Sequence, residues 1–207
     1  MPDNSTWDVI VIGSGLGGLT AAAYLATNGR RTLVLEQHYV AGGNSHVFRR
    51  KALKGKLELE FDVGVHYIGD CEPGGLIPSV LRGVGLEGKI EYVEMDPDGF
   101  DTLMFPGLTV RVPRGWDRYR DRLVEALPDD ETGIHRCVGV LEALADEMPR
   151  IPLPPKPEDL PRLMQEFPNF FRWGMRPLSA LFDDCGLGQK ARAVLSAESG
   201  TYALPPS

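Results

Sequence analysis

The sequence predicts an α/β fold that begins with a parallel βαβ unit, and three observations within residues 7–37 support this prediction. First, a run of β-branched apolar residues from Val9 to Ile12 is typical of a strand in a parallel sheet, and we expect it to be buried on both faces. Second, a glycine-rich turn follows this run. Third, a stretch of helical period leads to another apolar run, which ends at Glu36.

The boundaries of the helix in this unit are visible in the sequence. From Leu16 onward, apolar residues recur at helical spacing. Asn28 and Gly29 both tolerate left-handed backbone, so they predict the end of the helix. Residues 33–35 then read as a second buried strand.

Four glycines crowd the turn between the first strand and the helix: Gly13, Gly15, Gly17 and Gly18. Gly13 permits a tight turn, Gly15 lets the backbone approach a pyrophosphate, and Gly18 lets the helix pack close to the strand. The helix amino terminus offers unpaired N–H groups and a partial positive charge, which suit a diphosphate. The pattern therefore predicts a Rossmann-type dinucleotide site that includes all four glycines.

Glu36 stands at the tip of the second predicted strand. A carboxylate at this position accepts hydrogen bonds from ribose hydroxyls and repels a 2′-phosphate. The βαβ unit by itself leaves both NAD and FAD open as ligands.

The composition excludes several other functions. The chain has 207 residues and a formal net charge of −7, which speaks against a nucleic-acid partner. The three cysteines, Cys71, Cys137 and Cys185, form no CxxC or CxH spacing, so we expect no metal site and no disulfide framework. We interpret Cys137 as a small buried hydrophobe. No run approaches the ~18 apolar residues that a membrane-spanning helix needs, so we expect a cytoplasmic chain and leave peripheral membrane contact open.

The middle of the chain shows a different organisation. Leu57, Leu59 and Phe61 alternate with charged residues, which predicts a half-buried strand. The segments predicted after it are a hairpin over residues 101–113 that turns at Pro106 and Gly107, a helix over residues 116–127, and a helix from about residue 131 to 148. A proline-rich linker then occupies residues 149–161.

Three segments together resemble a known superfamily: "DVIVIGSGLGGLTAAAYLA", "LVLEQHYVAGGNSHVF" and "FDVGVHYIGD". They resemble the FAD-dependent amine oxidase and phytoene desaturase superfamily, and most closely its carotenoid isomerase and retinol saturase branch. The resemblance is dense up to residue 70 and thin beyond it. It implies a Rossmann-type FAD-binding domain in residues 1–95, followed in residues 96–207 by part of an inserted substrate domain with an antiparallel sheet and helices.

The resemblance also implies where the flavin would lie. It places Gly42, Gly43, Asp62 and Gly64 on the flavin side of the site. A glycine doublet also lets backbone N–H groups approach a planar ring or a phosphate, although a plain turn would use the same residues. Many members carry arginine directly after the doublet, whereas this chain has Asn44.

The sequence offers two candidates for a catalytic role. His66 and Tyr67 follow the Asp-x-Gly element and would face the ring or donate a hydrogen bond to it, but a packed pair on a strand explains them equally well. His38 and His46 are weaker candidates still. The resemblance implies that the flavin itself carries the chemistry, which is desaturation, saturation or isomerisation of a hydrophobic isoprenoid, carotenoid- or retinoid-like polyene.

Residues 162–182 are rich in aromatic residues, methionine and leucine, with arginines between them. We interpret them as core helices that are broken at Pro168 and Pro177. The alternative is an apolar lining for a polyene or a surface that dips into a membrane.

Other functions stay open at this stage. A non-catalytic FAD-binding fragment would keep the same motif. A binder similar to Rab GDP dissociation inhibitors would share the fold without a flavin, but it would have no need of the intact fingerprint. An NAD-dependent dehydrogenase would explain the βαβ unit and leave Gly42, Gly43, Asp62 and Gly64 without a role. No glycine-rich fingerprint follows Asp70, so the resemblance implies the N-terminal part of a longer enzyme whose remaining portion and redox partner lie outside this sequence.

Overall fold

The computed structural model describes residues 6–152 and 154–197 of the chain. The chain folds as two compact units, one that ends at Val93 and one that begins at Glu94. Each unit has its own helices; among the described residues, the first unit has two two-stranded sheets and the second has one.

The first unit contains the predicted βαβ segment. Its elements are β1 (Val9–Ile12), α1 (Leu16–Thr27), β2 (Thr32–Leu35), β3 (Val47–Ala52), β4 (Leu57–Asp62) and α2 (Leu76–Gly83). Strands β1 and β2 pair in parallel, with Val9 opposite Thr32 and Ile12 opposite Leu35. Strands β3 and β4 form an antiparallel hairpin. The predicted order of strand, glycine turn, helix and strand is therefore present.

Helix α1 ends where the sequence predicts. Asn28 occupies the C-cap position, and its backbone N–H donates to the carbonyl of Tyr24 at 3.2 Å. Gly29 follows with φ +77°, in the left-handed region that glycine tolerates.

The expectation that the first strand is buried on both faces is wrong. Successive side chains of a strand point to opposite faces of the sheet. The face of β1 that bears Val11 lies toward α1, since the Cγ1 atom of Val11 is 3.5 Å from where a Cβ of Gly18 would stand. On the opposite face, Ile10 is 56% exposed and Ile12 is 88% exposed. The same holds for β2, where Leu35 is exposed rather than buried.

The strand predicted over Leu57, Leu59 and Phe61 exists as β4, but it is exposed rather than half-buried. Its apolar face is covered only in part. Phe61 stacks on Phe48 of β3, with ring centroids 5.4 Å apart. The Arg50 guanidinium lies over the Phe48 ring at 4.7 Å.

The second unit begins with the predicted hairpin and continues as a helical bundle. Its elements are β5 (Asp101–Phe105), β6 (Leu108–Val112), α3 (Trp116–Ala126), α4 (Glu131–Glu147), α5 (Leu160–Glu166), α6 (Pro168–Trp173), α7 (Leu178–Cys185) and α8 (Gln189–Leu195). The hairpin is antiparallel and turns at Pro106 and Gly107, as predicted. The core of this unit is formed mainly by β6 and by helices α3, α4, α7 and α8. Its buried side chains include Val110, Leu123, Ile134, Cys137, Val138, Leu181, Phe182 and Val194.

The aromatic-rich segment forms part of this helical unit. Pro168 begins α6 and Pro177 directly precedes α7, so the breaks lie where the sequence predicts them. Phe167 and Trp173 are buried, which favours the core interpretation, while Met175 is 95% exposed. Cys137 is fully buried, and burial raises the pKa of its thiol to about 12. This confirms the interpretation of Cys137 as a hydrophobe.

The carboxylate of Glu147, at the end of α4, is buried and caps the start of α6. It accepts hydrogen bonds from the Asn169 side-chain amide at 2.7 Å and from the Phe170 backbone N–H at 2.7 Å. Burial would raise the pKa of Glu147, but these hydrogen bonds outweigh it, and the pKa lies below its usual value. No helix within residues 6–152 and 154–197 is long and apolar enough to cross a membrane.

Candidate functional site

The glycine-rich turn leaves β1 in the way that a dinucleotide-binding loop requires. Gly13 has φ +93°, and its N–H donates to the Leu35 carbonyl at 2.7 Å, which closes the turn beside β2. A Cβ atom on Gly18 would overlap the carbonyl oxygen of Gly13. Any side chain at residue 18 would therefore push α1 away from the turn.

The space in front of the α1 amino terminus is open. A Cβ atom on Gly15 or Gly17 would meet no atom of the described residues within 4 Å. Gly15 is the N-cap residue of α1, and its position provides no side-chain cap for the first turn. First-turn N–H groups have no partner inside a helix, so these groups are available to an anion that enters the room beside Gly15 and Gly17. The local geometry fits a diphosphate.

The glycine doublet lies directly against this turn. The N–H of Gly42 donates to the Ser14 carbonyl at 2.9 Å. A Cβ atom on Gly43 would stand 3.0 Å from the Cα atom of Gly15. Both doublet residues have positive φ, +119° for Gly42 and +57° for Gly43. Two glycines are needed here for backbone conformation and for close approach.

Glu36 follows β2 and turns its carboxylate toward the loop. Its Oε2 atom accepts a hydrogen bond from the Ser14 backbone N–H at 2.7 Å and another from the Ser14 hydroxyl at 2.6 Å. Its Oε1 atom accepts the backbone N–H of His38 at 2.9 Å. The Ser14 hydroxyl, followed by the N–H groups of His38 and Ser14, lowers the pKa of Glu36 to about 2. The carboxylate is thus charged and fixed in direction.

The Asp-x-Gly element contacts the segment that follows the doublet. The N–H of Val63 donates to the His46 carbonyl at 3.2 Å. A Cβ atom on Gly64 would lie 3.3 Å from the Cβ atom of Asn44. Asp62 faces His66, with 3.6 Å between Oδ2 and Nδ1. The element therefore reaches the loop indirectly, through residues 44–46.

The weaker candidates are solvent-exposed. The His66 side chain is 67% exposed, and Tyr67 is 47% exposed. The rings of His38 and His46 lie 4.9 Å apart, and His46 Nδ1 is 2.5 Å from the Gly43 carbonyl oxygen. His46 thus belongs to the surroundings of the doublet, whereas His66 and Tyr67 stay candidates.

Sequence reasoning missed Ser14 as a part of this site. The signal was its position between Gly13 and Gly15, two residues after the end of β1, which pairs with β2 just before Glu36. Pairing of Ile12 with Leu35 brings the residues that follow the two strands alongside each other. Without that register, the distance of 22 residues between Ser14 and Glu36 conceals their contact.

Comparison with known proteins agrees with this geometry. The family of NAD(P)-binding Rossmann-like domains matches residues 11–83, which confirms the predicted fold class. Human all-trans-retinol 13,14-reductase is 34% identical over 211 residues, covering 97% of this chain and 33% of that protein. The chloroplastic prolycopene isomerase 2 of an Oncidium hybrid cultivar is 32% identical over 179 residues, covering 85% of this chain and 28% of that protein.

A shorter match is closer in sequence. A zebrafish protein named inactive all-trans-retinol 13,14-reductase is 43% identical over 94 residues, covering 45% of this chain and 14% of that protein. Against the retinol reductases of human and macaque, this chain spans about a third of the length of the relative.

Proposed function

We propose that this chain, which belongs to the carotenoid isomerase and retinol saturase branch of the phytoene desaturase superfamily, binds FAD in an oxidoreductase that acts on a hydrophobic polyene. The observation that carries the proposal is the meeting of three separate segments at one loop. The carboxylate of Glu36 and the doublet of Gly42 and Gly43 both contact the turn at Gly13 to Gly15. An NAD-dependent dehydrogenase would need only the first two.

Each segment has a distinct task in this proposal. The first-turn N–H groups of α1 bind the diphosphate, and the open space at Gly15 and Gly17 admits it. Glu36 accepts a hydrogen bond from the adenosine ribose. Gly42 and Gly43 bring backbone close to the diphosphate from the other side. Asp62 and Gly64 support this side through residues 44–46. FAD, when bound, would supply the redox chemistry.

The substrate proposal rests on the names of the relatives. Those names specify a retinol and a prolycopene, which are both conjugated isoprenoids. We propose a retinoid- or carotenoid-like polyene for this chain as well, with saturation, desaturation or isomerisation as the reaction. We further propose that residues 1–95 form the cofactor-binding part and that residues 96–207 belong to the substrate domain. Contact with a membrane surface would give access to such an apolar molecule.

One observation favours a second function. The relative with 43% identity is named as inactive. FAD binding without catalysis is therefore the second candidate. The two candidates share the cofactor site and differ in whether a bound flavin is reduced or reoxidised when a polyene is added.

The first experiment is a titration of the purified chain with FAD, followed by the visible absorption and the fluorescence of the flavin. We expect saturable binding. Replacing Glu36 with arginine should weaken it by about tenfold or more, since a charge-assisted hydrogen bond is lost. The matched control is Glu91→Arg, which makes the same change of charge at an exposed glutamate of the same unit.

The outcomes separate the candidates. Equal FAD affinity of the Glu36→Arg and Glu91→Arg proteins would contradict the assigned ribose contact. Binding of NAD with no binding of FAD would replace the proposal with the dehydrogenase alternative. With FAD bound, all-trans-retinol serves as the polyene probe. Binding without catalysis would be favoured if retinol neither reduces the oxidised flavin nor reoxidises the pre-reduced flavin, and if chromatography recovers the retinol unchanged with either form of the flavin.

A further inference from the structure

Ser14 is a buried polar residue whose side chain and N–H both bond to one atom. It is 2% exposed, so its hydroxyl needs a partner within the protein. That partner is Oε2 of Glu36, which accepts both the hydroxyl at 2.6 Å and the backbone N–H at 2.7 Å. Both distances are in the short range of charge-assisted hydrogen bonds. Ser14 and Glu36 are therefore joined by two short hydrogen bonds of good geometry.

The acceptor sites of the Glu36 carboxylate explain what this contact achieves. A carboxylate has about four lone-pair directions, two on each oxygen. Ser14 occupies both directions on Oε2, and the His38 N–H occupies one on Oε1 at 2.9 Å. The Gln37 N–H also lowers the pKa of this carboxyl group, so it lies near the carboxylate as well. A free glutamate would sample several rotamers, whereas this one is held through Oε2, which leaves Oε1 as the oxygen with acceptor capacity for a ligand.

We infer that Ser14 is a positioning residue, which holds Glu36 so that Oε1 is presented to one ribose hydroxyl of the bound dinucleotide. The inference rests on the proposed function, because it assigns a role within the proposed FAD site. Ser14 acts through Glu36 rather than on the ligand, since it is almost completely buried. Its carbonyl meanwhile accepts the N–H of Gly42, so one residue connects Glu36, the loop and the doublet.

The test is a double-mutant cycle on FAD affinity with the full 207-residue chain. The proteins are wild type, Ser14→Ala, Glu36→Gln and the double variant. We expect Ser14→Ala to weaken FAD binding by about three- to tenfold, the cost of ordering one freed side chain on binding, because the bond between Ser14 and Glu36 lies within the protein. In the Glu36→Gln background the same substitution should change affinity by less than about twofold, because residues that act through one another are not additive. Ser14→Thr, which keeps the hydroxyl, should bind FAD better than Ser14→Ala.

A second readout needs no ligand. The ¹³C resonance of the Glu36 carboxyl group is followed with pH in wild type and in Ser14→Ala. Loss of the hydroxyl should raise the pH at which this carboxyl titrates, because that hydroxyl is the largest cause of its lowered pKa. A substitution that acted only through general loosening of the fold would not produce this shift together with non-additive binding.

The ways in which the test can fail are distinct. If wild type binds FAD and Ser14→Ala weakens binding equally in both backgrounds, with unchanged titration of Glu36, the inference is overturned and the proposed function survives. If wild type binds no FAD, the proposed function is contradicted. The role of Ser14 in presenting Glu36 to a ribose is then contradicted as well. If Ser14→Ala does not fold, the FAD affinity of Ser14→Thr is compared with that of wild type instead. Because threonine retains the hydroxyl, a tenfold loss of affinity in Ser14→Thr would contradict the inference.

Discussion

Gly43 lies against Gly15, so closely that a Cβ atom on Gly43 would stand 3.0 Å from the Cα atom of Gly15. The two residues are far apart in sequence, and the contact joins the doublet to the turn of the βαβ unit. It is a backbone-to-backbone approach, which neither partner can relieve by moving a side chain.

Replacing Gly43 with alanine should therefore destabilise the first unit and weaken FAD binding. Alanine at this position would make a tight contact with Gly15. It would also have to adopt φ +57°, which is strained for a residue with a Cβ atom. We expect a loss of about 1–3 kcal/mol in the free energy of unfolding, the range for overpacking, measured by urea denaturation. The matched control is Gly29→Ala, where φ is +77° but a Cβ atom would meet nothing within 4 Å in the described part of the chain. Equal losses in both variants would show that φ alone matters and that the contact with Gly15 does not.

Two adjacent glycines of α1 offer a sharper contrast. A Cβ atom on Gly18 would overlap the Gly13 carbonyl oxygen, whereas one on Gly17 would meet none of the residues that the structure describes within 4 Å. Gly18→Ala should lower the free energy of unfolding by at least about 2 kcal/mol. Gly17→Ala should leave it unchanged or raise it by up to about 1 kcal/mol, since alanine favours a helix over glycine. Thermal and urea unfolding of both variants test this. A Gly18→Ala protein with the same free energy of unfolding as wild type would contradict the close packing of Gly18 on the Gly13 carbonyl.

The role of Gly18 was predictable, because its spacing from Gly13 is the signature of helix-on-strand packing. The role of Ser14 was not predictable from spacing, since it depends on the register of β1 against β2. Burial of Ile10 and Ile12 was predicted wrongly for a related reason. Apolar composition indicates that burial of a strand face would be favourable, but burial also requires a segment that packs on that face. Ile12 is 88% exposed, so the described residues do not cover its face of β1.

The pH dependence of stability should report on Glu36. Its pKa is lowered from its usual 4.5 to about 2 in the folded chain. A carboxyl group with a depressed folded pKa contributes stability that is fully present above about pH 4.5 and is lost as the pH falls toward 2. The difference in free energy of unfolding between wild type and Glu36→Gln should therefore shrink across this window. Urea unfolding at about pH 7, 5 and 3 measures it, with Glu91→Gln as the control for loss of one charge. A difference that is constant with pH would contradict the hydrogen bonds from Ser14 and His38.

In the second unit, two neighbouring carboxylates should behave very differently. Glu147 is buried and bonds the first-turn N–H of Phe170 and the side chain of Asn169. Glu147→Ala should cost about 2–3 kcal/mol, because buried donors lose a charged partner. Asp146 is the control, since its side chain is 73% exposed and its ion pair with Arg150 is worth about 0.5 kcal/mol or less. Similar losses for Asp146→Ala and Glu147→Ala would contradict the capping role of Glu147.

The second unit illustrates how far periodicity carries a prediction. The helix over residues 131–148 and the hairpin at Pro106 and Gly107 follow from local patterns and are present as α4 and the β5–β6 turn. The bond from Glu147 to α6 joins residues 22 and 23 positions apart, and no local pattern indicates it. Local rules thus predict the elements, while the polar contacts that join them depend on tertiary packing.

The three contacts around Ser14 also have a consequence for rates. The carbonyl of Ser14 holds the doublet, its N–H and hydroxyl hold Glu36, and Gly43 rests on Gly15. The loop is thus ordered by folding, and its conformational entropy is lost before any ligand arrives. Association with a dinucleotide then requires no slow rearrangement of this loop. The observed rate should rise linearly with ligand concentration, in a single phase set by diffusion and orientation.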